Sequence, residues 1–323
     1  MNQILRTRPS HASGAVEMTQ PLPSFPETLG AVPVDAVGVA ERVASIRSRT
    51  LDEAARRAGL RLVVSMIDLT TLSGADTPGK VLALCQKAVD PAPELGAPPV
   101  AAVCVYPPFV AGARRALEGQ PVRVASVATA FPAGQASLDV RLDEVRQVVG
   151  DGAHEVDMVI ARGAFLCGEV ARVHDEIASV RELCDGVTLK VILETGELES
   201  LDNVRRASDV AIAAGADFIK TSTGKVSPAA TLPVTVAMLD AIAAHTRAGG
   251  RPVGMKPAGG IRSADEALTW LVAVNEILGD AWLTPSLFRF GASSLLGEVL
   301  VALHRLERGT EPARGQFSIM GAY

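Results

Sequence analysis

The sequence predicts one α/β domain, an eight-stranded (β/α)8 barrel of the TIM type, and three observations carry that expectation. Eight short apolar runs of strand length recur at intervals of roughly thirty residues, each followed by an amphipathic stretch long enough for a helix. No G-x-G-x-x-G follows the first run, so the main sign of an open, doubly wound sheet is missing. No Gly/Ser linker or charge run divides the 323 residues, which read as a barrel with leading helices over 34–306 between an extension over 1–33 and a tail over 307–323.

The elements follow in order. The opening stretch holds Arg6, Arg8, Pro9, Pro21, Pro23 and Pro26 with little periodicity and is expected to be disordered. From Val34 the pattern is helical through Val43 and Ile46 and again over 51–58, where Gly59 is placed to relieve left-handed strain at a helix end. Strands are expected over 62–68, 100–106, 122–128, 155–160, 188–194, 217–220, 253–256 and 287–290. Between them, 137–149 puts Leu138, Leu142, Val145 and Val149 on one helical face. The segment 263–278 opens with Ser263 and Glu266 in capping-box spacing and closes at Gly279.

Composition removes several classes of function. A formal net charge of −5 gives no basic footprint, so nucleic acid is not expected as a partner. Cys85, Cys104, Cys167 and Cys184 form no C-x-x-C pair and the five histidines form no H-E-x-x-H, so no metal is expected and free thiols in a reducing compartment are. No apolar run approaches the ~18 residues of a membrane span and no signal-peptide core opens the chain; a soluble, cytoplasmic protein is expected.

Charged residues inside the strands point to a site. Helix-facing strand positions should be apolar, so polar residues on the opposite phase point inward. Val156, Met158 and Ile160 outward turn Asp157 in; Leu189, Val191 and Leu193 turn Lys190 and Glu194 in. Ile219 turns Lys220 in, and Val253 with Met255 turns Lys256 in. Asp68 and Cys104 end the first two strands in similar positions. These charges either neutralise one another as a buried network or form a site at the C-terminal strand ends, where barrel enzymes carry their chemistry.

A lysine becomes a nucleophile near neutral pH when burial or a second cation lowers its proton affinity, and Lys220 has both, with Lys256 on the next strand. Its neutral amine could attack a carbonyl and form a Schiff base, with Asp157 relaying protons. The turns 259–263 and 291–294, with Gly259, Gly260, Arg262, Gly291, Ser293 and Ser294, follow the seventh and eighth strands, where barrels frequently bind phosphate. Thr223 lies in the hydroxyl-rich turn after Lys220.

Asp-Phe-Ile-Lys-Thr-Ser-Thr-Gly-Lys at 217–225, Gly-Met-Lys-Pro-Ala-Gly-Gly-Ile-Arg-Ser at 254–263 and Phe-Arg-Phe-Gly-Ala-Ser-Ser at 288–294 resemble the deoxyribose-phosphate aldolases, class I aldolases. Ile-Asp-Leu-Thr-Thr-Leu at 67–72, Val-Cys-Val-Tyr-Pro at 103–107, Phe-Pro-Ala-Gly at 131–134, Glu-Val-Asp-Met-Val-Ile at 155–160 and Lys-Val-Ile-Leu-Glu-Thr-Gly-Glu-Leu at 190–198 extend the resemblance over about 62–296. It implies reversible cleavage of 2-deoxy-D-ribose 5-phosphate to D-glyceraldehyde 3-phosphate and acetaldehyde, with no cofactor, in deoxyribonucleotide catabolism. Lys220 then matches the Schiff-base lysine, Lys256 the lysine that lowers its pKa, and Asp157 the proton relay. Gly224, Lys225, Gly259, Gly260, Ser293 and Ser294 fall around the phosphate, Cys104 falls near the acetaldehyde-derived carbon, and Arg262 becomes an outer contact. Tyr323 matches a terminal tyrosine that some members carry on a mobile tail. Ala161 departs from relatives with a polar residue there. A homodimer is a candidate assembly. Another Schiff-base aldolase or transaldolase with a different donor, and a non-catalytic sugar-phosphate-binding barrel, are the alternatives.

Overall fold

Alternation of helix-facing apolar residues with inward positions builds the barrel wall. In this computed structural model, which describes residues 32–317, the parallel strands are β1 (Ile67–Thr70), β2 (Ala102–Val105), β3 (Arg123–Ala128), β4 (Glu155–Val159), β5 (Thr188–Ile192), β6 (Phe218–Lys220), β7 (Gly254–Lys256) and β8 (Phe290–Ala292). Each pairs with its neighbour in sequence, and β1 pairs back to β8. Bridges between Met255 and Phe288 and between Ala258 and Gly291 bring β7 to the β8 side. Residues 1–31 and Tyr323 lie outside the described residues.

The helices are α1 (Ala36–Ser48) and α2 (Glu53–Ser65) before β1, then α3 (Pro78–Val89), α4 (Val110–Ala116) and α5 (Leu138–Gly150) after β1, β2 and β3. Two helices, α6 (Arg162–Leu166) and α7 (Val170–Leu183), follow β4; α8 (Leu201–Ala213), α9 (Leu232–Arg247), α10 (Ala264–Leu278) and α11 (Leu295–Arg308) follow β5 to β8. The outward strand residues Val156, Met158, Ile160, Leu189, Val191, Leu193, Ile219 and Met255 meet the helices in one continuous apolar core. Burying such side chains contributes roughly 1.5–3 kcal/mol each. The register expected for Asp157, Lys190, Lys220 and Lys256 is therefore the observed one.

Two expectations fail at the first strand. Residues 62–65 are the last turn of α2, and the strand begins at Ile67. Leu60, Val63 and Val64 share one buried helical face, and a short unbroken apolar run reads alike as helix or strand. Gly59 does not end a helix; it lies inside α2 because a Cβ there would come within 2.6 Å of Leu268 Cδ2 on α10. The capping box of α10 forms as expected between Ser263 and Glu266. The eighth strand sits slightly later than expected, with Phe288 in an isolated bridge ahead of it.

Part of the expected mobile tail packs on the barrel. After Gly309, at a φ of 67°, Glu311 pairs with Arg305 at 2.9 Å and Gln316 donates to Glu94 at 2.8 Å. Phe317 is buried beside the His304 ring, with its carbonyl near Gly297 at the start of α11. No helix among the described residues is long and apolar enough to cross a membrane.

Candidate active site

Inward-facing strand positions would normally hold apolar side chains; here Asp68, Asp157, Lys190, Lys220 and Lys256 place ions there. Lys220 Nζ donates to Asp157 Oδ2 at 2.7 Å, and Lys256 Nζ donates to the same oxygen at 2.8 Å. Lys190 takes the other carboxylate oxygen at 2.9 Å. Lys256 has a second acceptor in Asp68 Oδ2, which Lys190 approaches at 3.7 Å. The parallel registers pair Asp157 with Lys190 and Lys220 with Lys256, so adjacent strands deliver these groups to neighbouring positions.

Burial and charge divide the three lysines. Burial is the strongest influence on Lys220 and lowers its proton affinity; Asp157 opposes this and Lys256 reinforces it, leaving its pKa below the ordinary value. Lys256 is equally buried, but Asp157 and Asp68 outweigh the desolvation and raise its pKa. Lys190 is likewise raised, by Asp157, Glu155 and Asp68 against its burial. Burial disfavours charge on Asp157 too, yet the lysines hold it well below the usual carboxylate range. The arrangement sets one amine of lowered proton affinity beside two of raised affinity.

The mouth above these charges has an apolar side and a polar side. Cys104 lies with Leu72, Ala125 and Val127 in a small cluster covered by Tyr106 and Phe131. Burial pushes its thiol pKa up, so it presents a neutral S–H. Opposite, Gly259 and Gly260 take positive φ values of 71° and 84°, a conformation that favours glycine. A Cβ on Gly259 would stand 3.2 Å from Gly224 Cα, which shows how closely the loops after β6 and β7 approach. Gly291 leaves room for Ala258 and the Lys256 stem. Lys225 Nζ reaches the Leu72 carbonyl across the rim at 2.5 Å. Ser293 and Ser294 are exposed at the start of α11, whose N-terminus has no side-chain cap.

The structure thus joins Asp68, Asp157, Lys190, Lys220 and Lys256 by direct contact, with Cys104 close by and Thr223, Gly224, Lys225, Gly259, Gly260 and Gly291 on the rim. Glu194 does not converge with the lysines. At a φ of 54° its carboxylate turns to accept the Thr223 N–H at 3.2 Å and the Thr223 hydroxyl. Arg262 is exposed, and its N–H is already taken by Glu266 at 2.8 Å. Two functional candidates escaped the sequence reading. Arg289 holds Asp68 and Glu155, and Glu155 holds Lys190. The alternation that turned Asp157 inward applies equally to Glu155, and Phe288 and Phe290 outward turn Arg289 in.

Comparison with known proteins gives a consistent result. Residues 62–297 match the model of the DeoC/LacD family aldolases. The deoxyribose-phosphate aldolase of Mus musculus is 50% identical over 280 residues, which cover 83% of this chain and 88% of that protein. The deoxyribose-phosphate aldolase of Agrobacterium fabrum is 44% identical over 260 residues, covering 80% and 95%. Among solved structures, the tetrameric deoxyribose phosphate aldolase of Aeropyrum pernix superposes with a TM-score of 0.62 at 26% identity, covering 84% of this chain and 99% of that one.

Proposed function

The chain belongs to the DeoC/LacD aldolase family, and from that premise we propose that it cleaves 2-deoxy-D-ribose 5-phosphate reversibly to D-glyceraldehyde 3-phosphate and acetaldehyde through an imine on Lys220. The observation that carries this reading is the shared oxygen of Asp157: two buried lysines compete for it, and only Lys256 has a second carboxylate. Lys220 is the nucleophile by this difference.

In the cleavage direction the neutral Lys220 amine attacks the C1 aldehyde of the open-chain sugar. The hydroxyl of the resulting carbinolamine takes a proton through the Asp157 network and leaves as water, giving the iminium. The C3 hydroxyl loses its proton, the C2–C3 bond breaks, and its electron pair flows to the iminium to form an enamine. Glyceraldehyde 3-phosphate departs, C2 is protonated, and hydrolysis returns acetaldehyde and the lysine. Lys256 and Lys190 remain charged throughout and hold Asp157 in place. The apolar side formed by Cys104, Leu72 and Phe131 suits the two-carbon fragment.

The phosphate belongs on the rim formed by Gly224, Lys225, Gly259, Gly260, Gly291, Ser293 and Ser294. Small residues let amides approach an anion, and the uncapped α11 terminus favours one. Thr223 shapes this rim through its bond to Glu194. The α10 terminus contributes less, because Glu266 occupies its amides. Tyr323, which lies outside the described residues, is the candidate for assisting proton transfer at the enamine carbon. A cytoplasmic enzyme of deoxyribonucleotide catabolism, assembled as a homo-oligomer, fits this reading.

Borohydride reduction with acetaldehyde, followed by peptide mass mapping, tests the mechanism. A two-carbon adduct on Lys220 supports it; folded protein without an adduct overturns it.

A further inference from the structure

The contacts beneath Lys220 close on themselves. Asp68 holds Lys256, Lys256 holds Asp157, and Asp157 holds Lys190. Lys190 holds Glu155, Glu155 holds Arg289 at 2.9 Å, and Arg289 returns to Asp68 at 2.5 Å. Six ions of alternating sign, none with a side chain more than 5% exposed, form a neutral ring in which each faces two partners. Lys220 is a fourth buried cation against three carboxylates. It meets the ring at one atom, Asp157 Oδ2, where Lys256 is already bound.

We propose that Arg289 and Glu155, which lie at the far end of the barrel from the mouth, are positioning residues that set the protonation state of Lys220 by completing this ring. The inference rests on Lys220 being the imine-forming amine. Without the Arg289 charge, three carboxylates face only two ring cations, and the proton on Lys220 becomes the missing charge. Without the Glu155 charge, the cations are in greater excess and Lys220 sheds its proton more readily. The groups facing Lys220 directly are Asp157 on β4, Lys256 on β7 and the neutral Cys104 thiol on β2. Lys190 and Asp68 lie one contact further away and are held by the same two residues. Arg123, the first residue of β3, reaches Glu155 at 2.7 Å with its side chain 44% exposed, and supplies a weaker form of the same influence.

The lower half of the ring borders a cavity of about 380 Å³ lined in part by Arg123, Glu155, Phe218 and Arg289. Water can enter there when a side chain is shortened, so Arg289→Gln is expected to fold. A ring that only stiffens the barrel would loosen in the same way whichever member was removed. A ring that sets charge responds with opposite signs.

The test is the pH dependence of borohydride trapping of acetaldehyde on Lys220 in the full chain and in Arg289→Gln, Arg289→Lys and Glu155→Gln. The midpoint should rise by about one pH unit in Arg289→Gln and fall by a similar amount in Glu155→Gln, while Arg289→Lys stays close to the parent. Shifts of the same sign in both neutral variants, or none in either, would overturn the proposal. Should circular dichroism show Arg289→Gln unfolded, the surface variant Arg123→Gln takes its place, with a smaller rise expected and an unchanged midpoint overturning the idea. A parent chain that forms no adduct on Lys220 at any pH would instead remove the reading on which the proposal rests.

Discussion

The ends of β6 and β7 carry the same residue in the same register, Lys220 opposite Lys256, and both side chains donate to one oxygen of Asp157. Their proton affinities nevertheless move in opposite directions, down for Lys220 and up for Lys256. Burial is common to both and cannot separate them. The difference is Asp68, which meets Lys256 and not Lys220. One carboxylate on a strand remote in sequence thus separates the two lysines, and this can be probed from either side.

The largest effect is expected at Lys220. Lys220→Ala should lower turnover of deoxyribose 5-phosphate by about 10⁴-fold or more, because Lys256 keeps its proton and cannot substitute; substantial residual imine formation on Lys256 would break the distinction. Lys256→Leu comes next, with a loss of roughly 10²-fold near pH 7. The sign follows from charge: with Lys256 gone, Lys220 faces Asp157 without competition, holds its proton more tightly, and becomes neutral only at higher pH. The acid limb of the rate–pH profile should move upward, and an unmoved limb would refute the electrostatic account.

Asp68→Asn removes the asymmetry itself. Lys256 then has one carboxylate like its neighbour, so turnover should fall about tenfold, with a minor borohydride adduct appearing on Lys256 in mass spectra. The smallest effect separates geometry from charge. Thr221 Oγ1 accepts the Ala258 N–H at 2.9 Å, tying the two strand ends together. Thr221→Val should cost about 1 kcal/mol, seen as a Tm lower by roughly 2–4 °C, while the rate–pH profile keeps its midpoints.

Much of this site was legible because alternation is a strong constraint on a buried strand. Once Val156 and Met158 face the helices, Asp157 has no choice of side, and the same holds for Lys190, Lys220 and Lys256. Glu155 and Arg289 obey the same rule, yet nothing local shows that they meet; β4 and the approach to β8 come together only through barrel closure. Glu194 defeats the rule because its left-handed backbone takes it out of strand geometry. The start of β1 was illegible for another reason. Leu62, Val63 and Val64 continue into Met66 and Ile67 with only the small Ser65 between them, and the deciding contact, Gly59 against Leu268, depends on a helix about two hundred residues away. The α10 terminus showed its capping box in sequence, but not that closing the box would withdraw the Arg262 amide from a ligand.

The band of strands is fastened unevenly. Four register pairs join β3 to β4, whereas β7 and the β8 side share two isolated bridges and four backbone hydrogen bonds, the last stretched to 3.4 Å, and Pro257 brings no N–H to the seam. The glycine loops at 259–260 and 291–294 flank that seam. A sugar phosphate gripped by the amides of both would act as a clasp, so that substrate concentration would govern resistance to heat as well as turnover. At a hundredfold excess over Kd the added stability would be about 2.7 kcal/mol, and the enzyme would be most robust when it is busiest.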